Sequence, residues 1–461
     1  MENYLYKGKI FVNDNEFPLH AAYGSKNSLL INFDDRRWFK DSFEFDRFTL
    51  IVENDIFEFG KCLFFNESHV PNFHGRIIFV SDVHDFYNIF ALKRMANLET
   101  YFQNLPIVMA QKNKIKESFR KYTSDLTYDL RVYCKYFDEL DTIYQNEPPQ
   151  IFKMAQLTII ETEGRKFFSF FDKKLETLKL ETAGFTKEEQ ENHAFYFRRQ
   201  VWDFIKQSRF LTRTNIKPRG YAGDSEMMSM IYRNLYEGNT IFEKLMHKHP
   251  IETKSAQAVR NRKTIIPALI NEAVAEFAPD TNSFQFLSVA SGPARELENI
   301  IISPAFCVKY KITLLDQDKE ALGEAANCIK RIENRFGEKI NYQFINESVR
   351  TMLRIRLLEE KWGQFHFIYS MGLFDYLSPR VAQAVLEKLY TLLLPGGRMI
   401  IGNYHENNPT KTYMDYWGDW VLYYRSHEDF LDLTRNLTNS KCNIIFEETR
   451  CQMFLIVRKP F

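Results

Sequence analysis

Apolar and polar positions follow three different patterns along the chain. Up to about residue 90, short apolar segments alternate with Asn, Asp and Gly at close intervals, which predicts a small antiparallel β-barrel or sandwich. From about 91 to 254 the apolar spacing is helical, and after about 255 strand-like and helix-like segments alternate. We therefore predict a β domain at 1–90, a helical segment at 91–254 and an α/β domain at 255–461. The predicted strands of the first part are 9–12, 28–33, 48–52 and 76–80.

A long amphipathic pattern dominates the helical part. Apolar residues recur every three or four positions from Ile115 to Tyr144, so one stripe of a long helix is apolar. Such a stripe needs a partner, and the sequence leaves open an intramolecular bundle that covers the substrate and a homodimer seam. Thr186 and Glu189 have capping-box spacing, which predicts the start of a further helix. Prolines at 148–149 and 218 predict helix breaks.

The last part has the pattern of a parallel sheet. Its apolar segments are separated by helix-length stretches, which predicts right-handed crossovers and an α/β fold class. The final two segments are joined by too few residues for a crossover helix, so we expect an antiparallel hairpin at the sheet edge. The predicted strands are 284–290, 310–315, 341–345, 365–370, 397–403, 443–446 and 452–457.

Composition and charge narrow the class of protein. The 461 residues carry 61 Lys and Arg against 60 Asp and Glu, so no overall positive field attracts a nucleic acid. No apolar run approaches the ~20 residues that cross a bilayer. Six scattered cysteines without C-x-x-C spacing or a histidine cluster predict reduced thiols and no metal site. The start of the chain lacks the basic-then-apolar order of a secretory signal, and we expect a cytoplasmic protein.

A tight turn of small residues follows the first predicted parallel strand. The sequence ASGPA at 290–294 leads directly into a predicted helix start, so backbone amides and the positive helix end can approach a ligand closely. The second strand ends in Asp316, where a carboxylate can accept hydrogen bonds from both hydroxyls of a ribose. Together, the turn and the carboxylate predict an adenosine site.

Two kinds of adenosine cofactor compete for such a site. A dinucleotide usually needs G-x-G-x-x-G spacing, which Ala290, Gly292 and Arg295 do not supply. S-adenosyl-L-methionine (SAM) carries no phosphate and needs a less open turn, so the sequence favours it. The predicted cofactor-binding residues are Tyr221, Asp224, Arg260, Ala290, Ser291, Gly292, Pro293, Asp316, Gln317, Asn346, Glu347, Ser348, Ser370 and Met371.

The order of these features resembles the class I SAM-dependent methyltransferases over residues 255–461. The run LPGG at 394–397 stands before the fifth strand, and the predicted hairpin ends the domain. The resemblance implies a seven-stranded Rossmann-like sheet with a terminal antiparallel hairpin. In that family an acidic residue is common in the first strand, where Ser288 stands here.

Three further runs resemble a narrower family, the biosynthesis proteins of the extracellular factor 3-hydroxypalmitic acid methyl ester. They are KPRGYAGDSEMM at 217–228, AVRNR at 258–262 and GLFDYL at 372–377. The resemblance implies methylation of a fatty-acid or other acyl carboxylate to a methyl ester. Near the start of the chain, YGSKNSLLI at 23–31 resembles part of the PilZ domain, although the R-x-x-x-R element that binds cyclic di-GMP is missing.

The predicted catalytic residues are Tyr221, Arg260, Tyr404 and His405. A carboxylate acceptor is ionised at neutral pH, so it needs a cationic anchor rather than a base. Arg260 is a candidate anchor, with Arg262 and Arg219 as others, and Tyr221 is a candidate cover for the cofactor. His405 is a general base only for an uncharged acceptor. The same residues also fit structural roles, as solvated helix charges, loop residues or the rim of the core.

Three other functions remain open at this point. Ser288 and the attached β domain allow a sensor or scaffold that binds SAM without turnover. A small-molecule N- or O-methyltransferase with a different acceptor fits the same site. Methylation of nucleic acid is disfavoured because MGLF at 371–374, after Ser370, replaces the D/N-P-P-Y type of acceptor motif.

Overall fold

The structure, a computed structural model, describes residues 6–12, 15–25, 28–33, 42–52, 55–66, 75–79, 86–277 and 283–461. The chain divides into two units, Met1–Leu105 and Pro106–Phe461. Lys26 and Asn27 of the PilZ-like run, Val80 of a predicted strand and the first five residues lie outside the described residues.

An antiparallel sheet of eight strands forms the first unit, in the order β4-β7-β8-β3-β2-β1-β5-β6. Its elements are β1 (Tyr6–Val12), β2 (Asn15–Ser25), β3 (Ser28–Phe33), β4 (Phe43–Phe45), β5 (Arg47–Val52), β6 (Asp55–Phe59), β7 (Cys62–Asn66), β8 (Gly75–Phe79) and the helix α1 (Phe86–Gln103). Alternate side chains such as Leu29, Ile31, Phe48 and Leu50 are buried in its core. The predicted strands fall within β1, β3, β5 and β8. The sequence analysis missed the long β2, which contains Pro18 and lacks a continuous apolar run.

Among the described residues, nine α-helices lie between α1 and the second sheet in sequence. They are α2 (Leu105–Lys112), α3 (Glu117–Tyr144), α4 (Pro149–Ile159), α5 (Arg165–Thr182), α6 (Lys187–Ile205), α7 (Arg209–Ile216), α8 (Ser225–Arg233), α9 (Ile241–Ile251) and α10 (Lys254–Phe277), with a π-helical turn at Ile160–Gly164. The predicted capping box is present: Glu189 N donates to Thr186 Oγ1 at 3.2 Å, and Thr186 N donates to Glu189 Oε2 at 2.8 Å.

The long helix α3 finds its partner within the same chain. It packs against α5, α6 and α9. Phe119, Leu126, Leu130 and Phe137 of the apolar stripe are fully buried there. Of the two arrangements left open by the sequence, the structure has the intramolecular bundle, so the stripe no longer gives a reason to expect a homodimer.

A seven-stranded sheet forms the centre of the second unit, in the order β11-β10-β9-β12-β13-β15-β14. Its strands are β9 (Phe284–Val289), β10 (Tyr310–Leu315), β11 (Asn341–Ile345), β12 (Phe365–Ser370), β13 (Leu393–Tyr404), β14 (Lys441–Phe446) and β15 (Gln452–Arg458). The first five strands pair in parallel, and β15 pairs antiparallel with both β13 and β14. The predicted mixed α/β architecture is confirmed.

Helices cover both faces of this sheet, as parallel strands require. They are α10 together with α11 (Leu297–Ile300), α12 (Pro304–Lys309), α13 (Lys319–Phe336), α14 (Val349–Arg354), α15 (Leu358–Trp362), α16 (Pro379–Thr391), α18 (His427–Asp432) and a 3₁₀ turn at Phe374–Tyr376. The helix α17 (Lys411–Trp417) instead packs against α5 and α6. Ile270 and Ile329 pack on one face. Leu386 and Phe430 pack on the other. Among the described residues, no helix is both long and apolar enough to cross a membrane.

One buried histidine in the helical part lacks hydrogen-bond partners. His247 of α9 is fully buried, and neither of its ring nitrogens has a partner among the described residues. Burial lowers the pKa of His247 to about 4. Glu237 acts against this shift, whereas Arg209, Arg233 and Lys248 add to it. The folded protein therefore keeps this ring neutral in mildly acidic solution.

We expect the free energy of unfolding to fall between pH 7.5 and pH 5 because of His247. The unfolded chain binds a proton at this residue near pH 6.5, and the folded chain binds it only near pH 4. Preferential proton binding by the unfolded state should lower stability by on the order of 1–2 kcal/mol over this range. Urea unfolding at both pH values measures the change. His247→Leu should remove it, and His427→Gln, at an exposed position, should not; an unaltered pH dependence in H247L contradicts the assignment.

Candidate functional site

The site lies where the strand order of the second sheet reverses. β10 and β12 flank β9 on opposite sides, so a crevice opens at the carboxyl ends of these three strands. The turn at 290–294 follows β9, Asp316 follows β10, and Ser370 ends β12. The structure therefore brings together the predicted turn, the predicted carboxylate and the end of the fourth strand of the predicted fold.

The turn after β9 has an unusual backbone. Ala290, Gly292 and Ala294 all have positive φ, at 54°, 55° and 48°. Left-handed alanines are disfavoured, which makes this bend a site of stored strain. A Cβ built on Gly292 would meet no atom within 4 Å, so space is open above it. Ser291 is buried, and its hydroxyl oxygen has no hydrogen-bond partner among the described residues.

Asp316 joins the bend to the end of β10. Its Oδ2 accepts a hydrogen bond from Gly292 N at 2.9 Å, and its Oδ1 accepts one from Asp318 N at 2.9 Å. The residue is only 6% exposed. Burial raises the pKa of Asp316 to about 6, and the two amide hydrogen bonds act in the opposite direction. The carboxylate is thus held in one orientation, and each oxygen keeps a lone pair for a ligand.

The residues after β11 divide between the crevice and local structure. Asn346 Nδ2 donates to the carbonyls of Asp316 at 2.9 Å and Gln317 at 3.1 Å, so Asn346 lies at the crevice beside the exposed Gln317. Ser348 instead caps α14, and Glu347 pairs with Lys361 at 3.5 Å. Of these predicted cofactor-binding residues, Asn346 and Gln317 are therefore the better placed.

The loop at 217–224 reaches across to the carboxyl end of β10. Arg219 donates to Asp318 Oδ2 at 2.7 Å and to Glu320 Oε2 at 2.5 Å. The ring of Tyr221 packs edge-on against Tyr376, with 6.1 Å between centroids. Burial raises the pKa of Tyr221, and the charges of Asp316 and Asp318 add to the effect. These interactions place Tyr221 beside the acidic end of the crevice.

Asp224 has a structural position rather than the predicted ligand-binding one. It is fully buried, and its two oxygens accept hydrogen bonds from Arg213 Nε at 2.8 and 2.9 Å. Its Oδ1 also accepts from Met227 N at 3.1 Å and so caps α8. A carboxylate engaged in this way has no exposed surface for the amino group of a cofactor.

Arg260 also lies away from the crevice, contrary to the sequence prediction. Its guanidinium donates to Ile251 O at 2.6 Å and to Gln257 Oε1 at 2.8 Å, which ties it to the end of α9. Arg262 takes the expected place, because its Nη1 donates to Met371 O at 2.6 Å, directly after β12. Side chains two positions apart on an α-helix point in nearly opposite directions, because two residues turn the helix by about 200°.

Arg262 is the functional residue that sequence reasoning ranked too low. It is 8% exposed and forms no ion pair among the described residues. A signal was present in the sequence: Arg262 follows Val259 by three positions and precedes Ile266 by four, so it falls in the buried stripe of α10, and Arg260 does not. Burial raises the pKa of the Asp375 and Glu296 carboxyl groups, and the positive charge of Arg262 acts in the opposite direction, so this cation is partly balanced within the protein at the end of β12.

Tyr404 and His405, which were predicted near the end of the fifth parallel strand, contact different neighbours. Tyr404 is buried, and its hydroxyl donates to Ser255 O at 3.0 Å. The ring of His405 packs edge-on against Phe446 of the terminal hairpin, and its Nδ1 accepts from Asn407 N at 3.2 Å. His405 is thus directed to the sheet edge, and the structure does not support it as a general base.

Two residues at and just after the end of β12 hold neighbouring strands together: Ser370, which the sequence analysis predicted to bind the cofactor, and Asp375, which it did not single out. Ser370 is fully buried and donates to Val289 O at 2.9 Å, so it holds β12 against β9. Asp375 follows in the 3₁₀ turn, and its Oδ1 accepts from Tyr404 N at 2.7 Å. Burial raises the pKa of Asp375 to about 6. Asp375 therefore links the ends of β12 and β13.

Several solved structures resemble this chain. A possible exported protein from Bordetella parapertussis is 15% identical, with a TM-score of 0.44, over 58% of this chain and 88% of that one. Magnesium protoporphyrin IX methyltransferase from Synechocystis is 11% identical, with a TM-score of 0.36, over 51% and 95%. The N-methyltransferase NodS from Bradyrhizobium japonicum is 14% identical, with a TM-score of 0.29, over 44% and 94%. No family model and no curated protein matches the chain. An assignment of function must therefore come from the residues themselves.

Gly223 allows the 217–224 loop to lie against the site, and we expect Gly223→Ala to disturb it. A Cβ there would lie 2.7 Å from Trp420 Cζ2 and closer still to Tyr376 Oη. The loop must then shift, at a cost of about 1–3 kcal/mol. Urea unfolding measures the loss. Gly323→Ala on α13, where a Cβ meets no atom within 4 Å, should be neutral or stabilising. Equal stability of G223A and the parent protein contradicts the close packing.

Proposed function

We propose that this protein is a SAM-dependent methyltransferase that acts on a small molecule, with SAM bound in the crevice at the ends of β9, β10 and β12. The observation that carries the proposal is the bend itself. Its buried Ser291 hydroxyl has no hydrogen-bond partner among the described residues, the space above Gly292 is open, and the Asp316 carboxylate is fixed beside both. A nucleoside with ribose hydroxyls to donate fits these groups.

Different residues around the crevice bind different parts of the cofactor. Asp316 accepts from the ribose hydroxyls, and Asn346 and Gln317 lie where the adenine binds. Arg262, which is buried and lies against the backbone directly after β12, binds the carboxylate of the methionine part. Tyr221 covers the bound molecule, because Arg219 holds its loop on Asp318 and Glu320.

Methyl transfer requires mainly that the donor and the acceptor are held in the correct positions. SAM supplies a methyl group on a sulfonium, ready for in-line displacement. The residues of the chain hold donor and acceptor in line and exclude water, and such orientation contributes up to ~7–11 kcal/mol in favourable systems. Ser370 and Asp375 serve this role by fixing the ends of β12 and β13 next to the bend.

We further propose that the acceptor is an acyl carboxylate, which becomes a methyl ester. His405 is turned against Phe446, and the Tyr404 hydroxyl donates to a backbone carbonyl, so neither is available as a base. A carboxylate is ionised at neutral pH and needs no base. Incubation of the protein with SAM and a panel of acyl acids tests the activity by formation of S-adenosyl-L-homocysteine (SAH). Binding of SAM without any turnover supports a scaffold instead.

Asp316→Asn should weaken SAH binding about tenfold or more, because a charged acceptor for two hydroxyl donors is lost. In the parent protein, the affinity should also fall below about pH 6, since protonation of Asp316 removes that acceptor. At pH 5 we expect about tenfold weaker binding than at pH 7.5. Calorimetry at both pH values measures the effect. D316N should show little pH dependence over this range, and equal pH dependence in both proteins contradicts the ribose assignment.

Arg262→Gln should weaken SAH binding by about tenfold or more, since the buried cation no longer meets the ligand carboxylate. Arg260→Gln, two positions away, should leave the SAH affinity unchanged. A second comparison uses 5′-methylthioadenosine, which has the nucleoside but no carboxylate. Its affinity should be the same for R262Q and the parent protein. Loss of SAH binding in R260Q rather than R262Q returns the role to Arg260.

A further inference from the structure

An apolar cavity lies next to the crevice, between the helical segment and the end of β13. It has about 410 Å³ of space between its atoms, part of it open to solvent. Side chains from α7, α8, α17 and β13 line it, among them Phe210, Leu211, Ile231, Tyr404, Tyr413 and Trp420. Aromatic and aliphatic side chains of this kind line most small-molecule pockets.

The polar atoms on the cavity wall are satisfied by the protein itself. The Tyr404 hydroxyl donates to Ser255 O at 3.0 Å, and Thr214 Oγ1 donates to Leu211 O at 2.8 Å. Thr253 Oγ1 donates to Pro250 O at 2.9 Å. Among the described residues, no charged side chain lines the cavity. The wall therefore offers carbon surface to a ligand and no cation for a carboxylate.

Hydrogen bonds hold the aromatic wall in place. Tyr413 Oη lies 3.1 Å from His249 Nδ1, and His249 Nε2 lies 3.0 Å from Asp172 Oδ1. Trp420 Nε1 donates to Tyr376 Oη at 2.8 Å. These bonds fix the orientation of the Tyr413 and Trp420 rings, which reduces the entropy lost when a ligand binds beside them.

The same contacts connect the cavity to the crevice. Trp420 lines the cavity and bonds to Tyr376, whose ring contacts Tyr221 of the loop beside Asp316. Tyr404 lines the cavity and donates its amide to Asp375, just after β12. Tyr376 and Asp375 thus link the cavity wall to residues beside the crevice.

We propose that this cavity binds an uncharged hydrocarbon group of the acceptor, so that the enzyme selects substrates with an apolar tail or ring beside the methylated group. The inference rests on the proposed function and extends it to substrate selection. The polar end of such an acceptor stays outside the cavity and faces the crevice, because the wall gives it no partner. The size of the cavity then limits the length or width of the apolar group.

Two substitutions of opposite sense test this limit. Ala256 of α10 lines the cavity, and Ala256→Leu reduces its volume. Met414→Ala enlarges it from the α17 side. Ala268→Leu, at an exposed position of the same helix α10, is the matched control. Circular dichroism and SAH affinity verify that each variant is folded and keeps its cofactor site.

Methyl transfer is measured with straight-chain carboxylic acids of increasing length and with planar aromatic acids. In A256L, KM for the longest acceptable acid should rise about tenfold or more, a typical effect of an extra methylene in a pocket. KM for SAM should stay the same, and M414A should accept longer acids. A preference for the linear or for the aromatic series identifies the source of the hydrocarbon group. An acceptor profile identical in A256L, M414A and A268L overturns the proposal.

A binding measurement separates this inference from the proposed function. Bromine quenches tryptophan fluorescence on contact, so 10-bromodecan-1-ol and 1-bromonaphthalene report occupancy next to Trp420. We expect quenching by one or both probes in the parent protein and in A268L, and its loss in A256L and in Trp420→Phe. If this pattern holds but no acid is methylated, the cavity assignment stands and the proposed reaction fails. If acids are methylated and the probes do not quench, the reaction stands and the cavity assignment fails.

Discussion

The hydrogen bond from the Gly292 amide to the Asp316 carboxylate is the interaction on which the crevice depends. It joins the ends of two adjacent parallel strands and fixes a buried carboxylate beside a bend with three left-handed residues. Burial alone disfavours the charged form of this group, and two amide donors partly restore it. The Asp316 carboxylate is therefore held in one orientation, and its oxygens can still accept further hydrogen bonds. Such a group has capacity left for a ligand with hydroxyl donors.

Residues 106–254 and the seven-stranded sheet belong to one unit, and the 217–224 loop supplies charged and aromatic contacts between them. Arg219 ties the loop to the acidic segment after β10, and the buried Arg213–Asp224 pair fixes the helix that follows. Replacing one member of such a buried pair leaves an unpaired charge and is strongly destabilising. The same loop carries Tyr221 to the crevice, so the stability of the loop and the shape of the site have a common origin.

Sequence reasoning succeeded where the information is local. The strands and crossovers of the C-terminal sheet, the terminal hairpin and the capping box at Thr186 follow from periodicity and from short-range hydrogen bonding. It failed where two side chains of the same type compete. Arg260 and Arg262 are the same residue type on the same helix, and only their positions relative to the buried stripe of α10 distinguish them. His405 follows β13 as expected, yet the position of Phe446 on a hairpin strand decides which way its ring turns.

By itself, the sequence determined the order of strands in the second sheet, the small-residue bend and the acid that follows the second parallel strand. These features depend on backbone conformation and on the alternation of apolar residues, both of which are properties of neighbouring positions. Only the tertiary structure decided that Asp224 forms an ion pair with Arg213, and that α3 packs against other helices of its own chain. It also decided the position of the apolar cavity near the crevice. Each of these depends on residues that are far apart in sequence, and their approach is set by packing of the whole unit rather than by any local pattern.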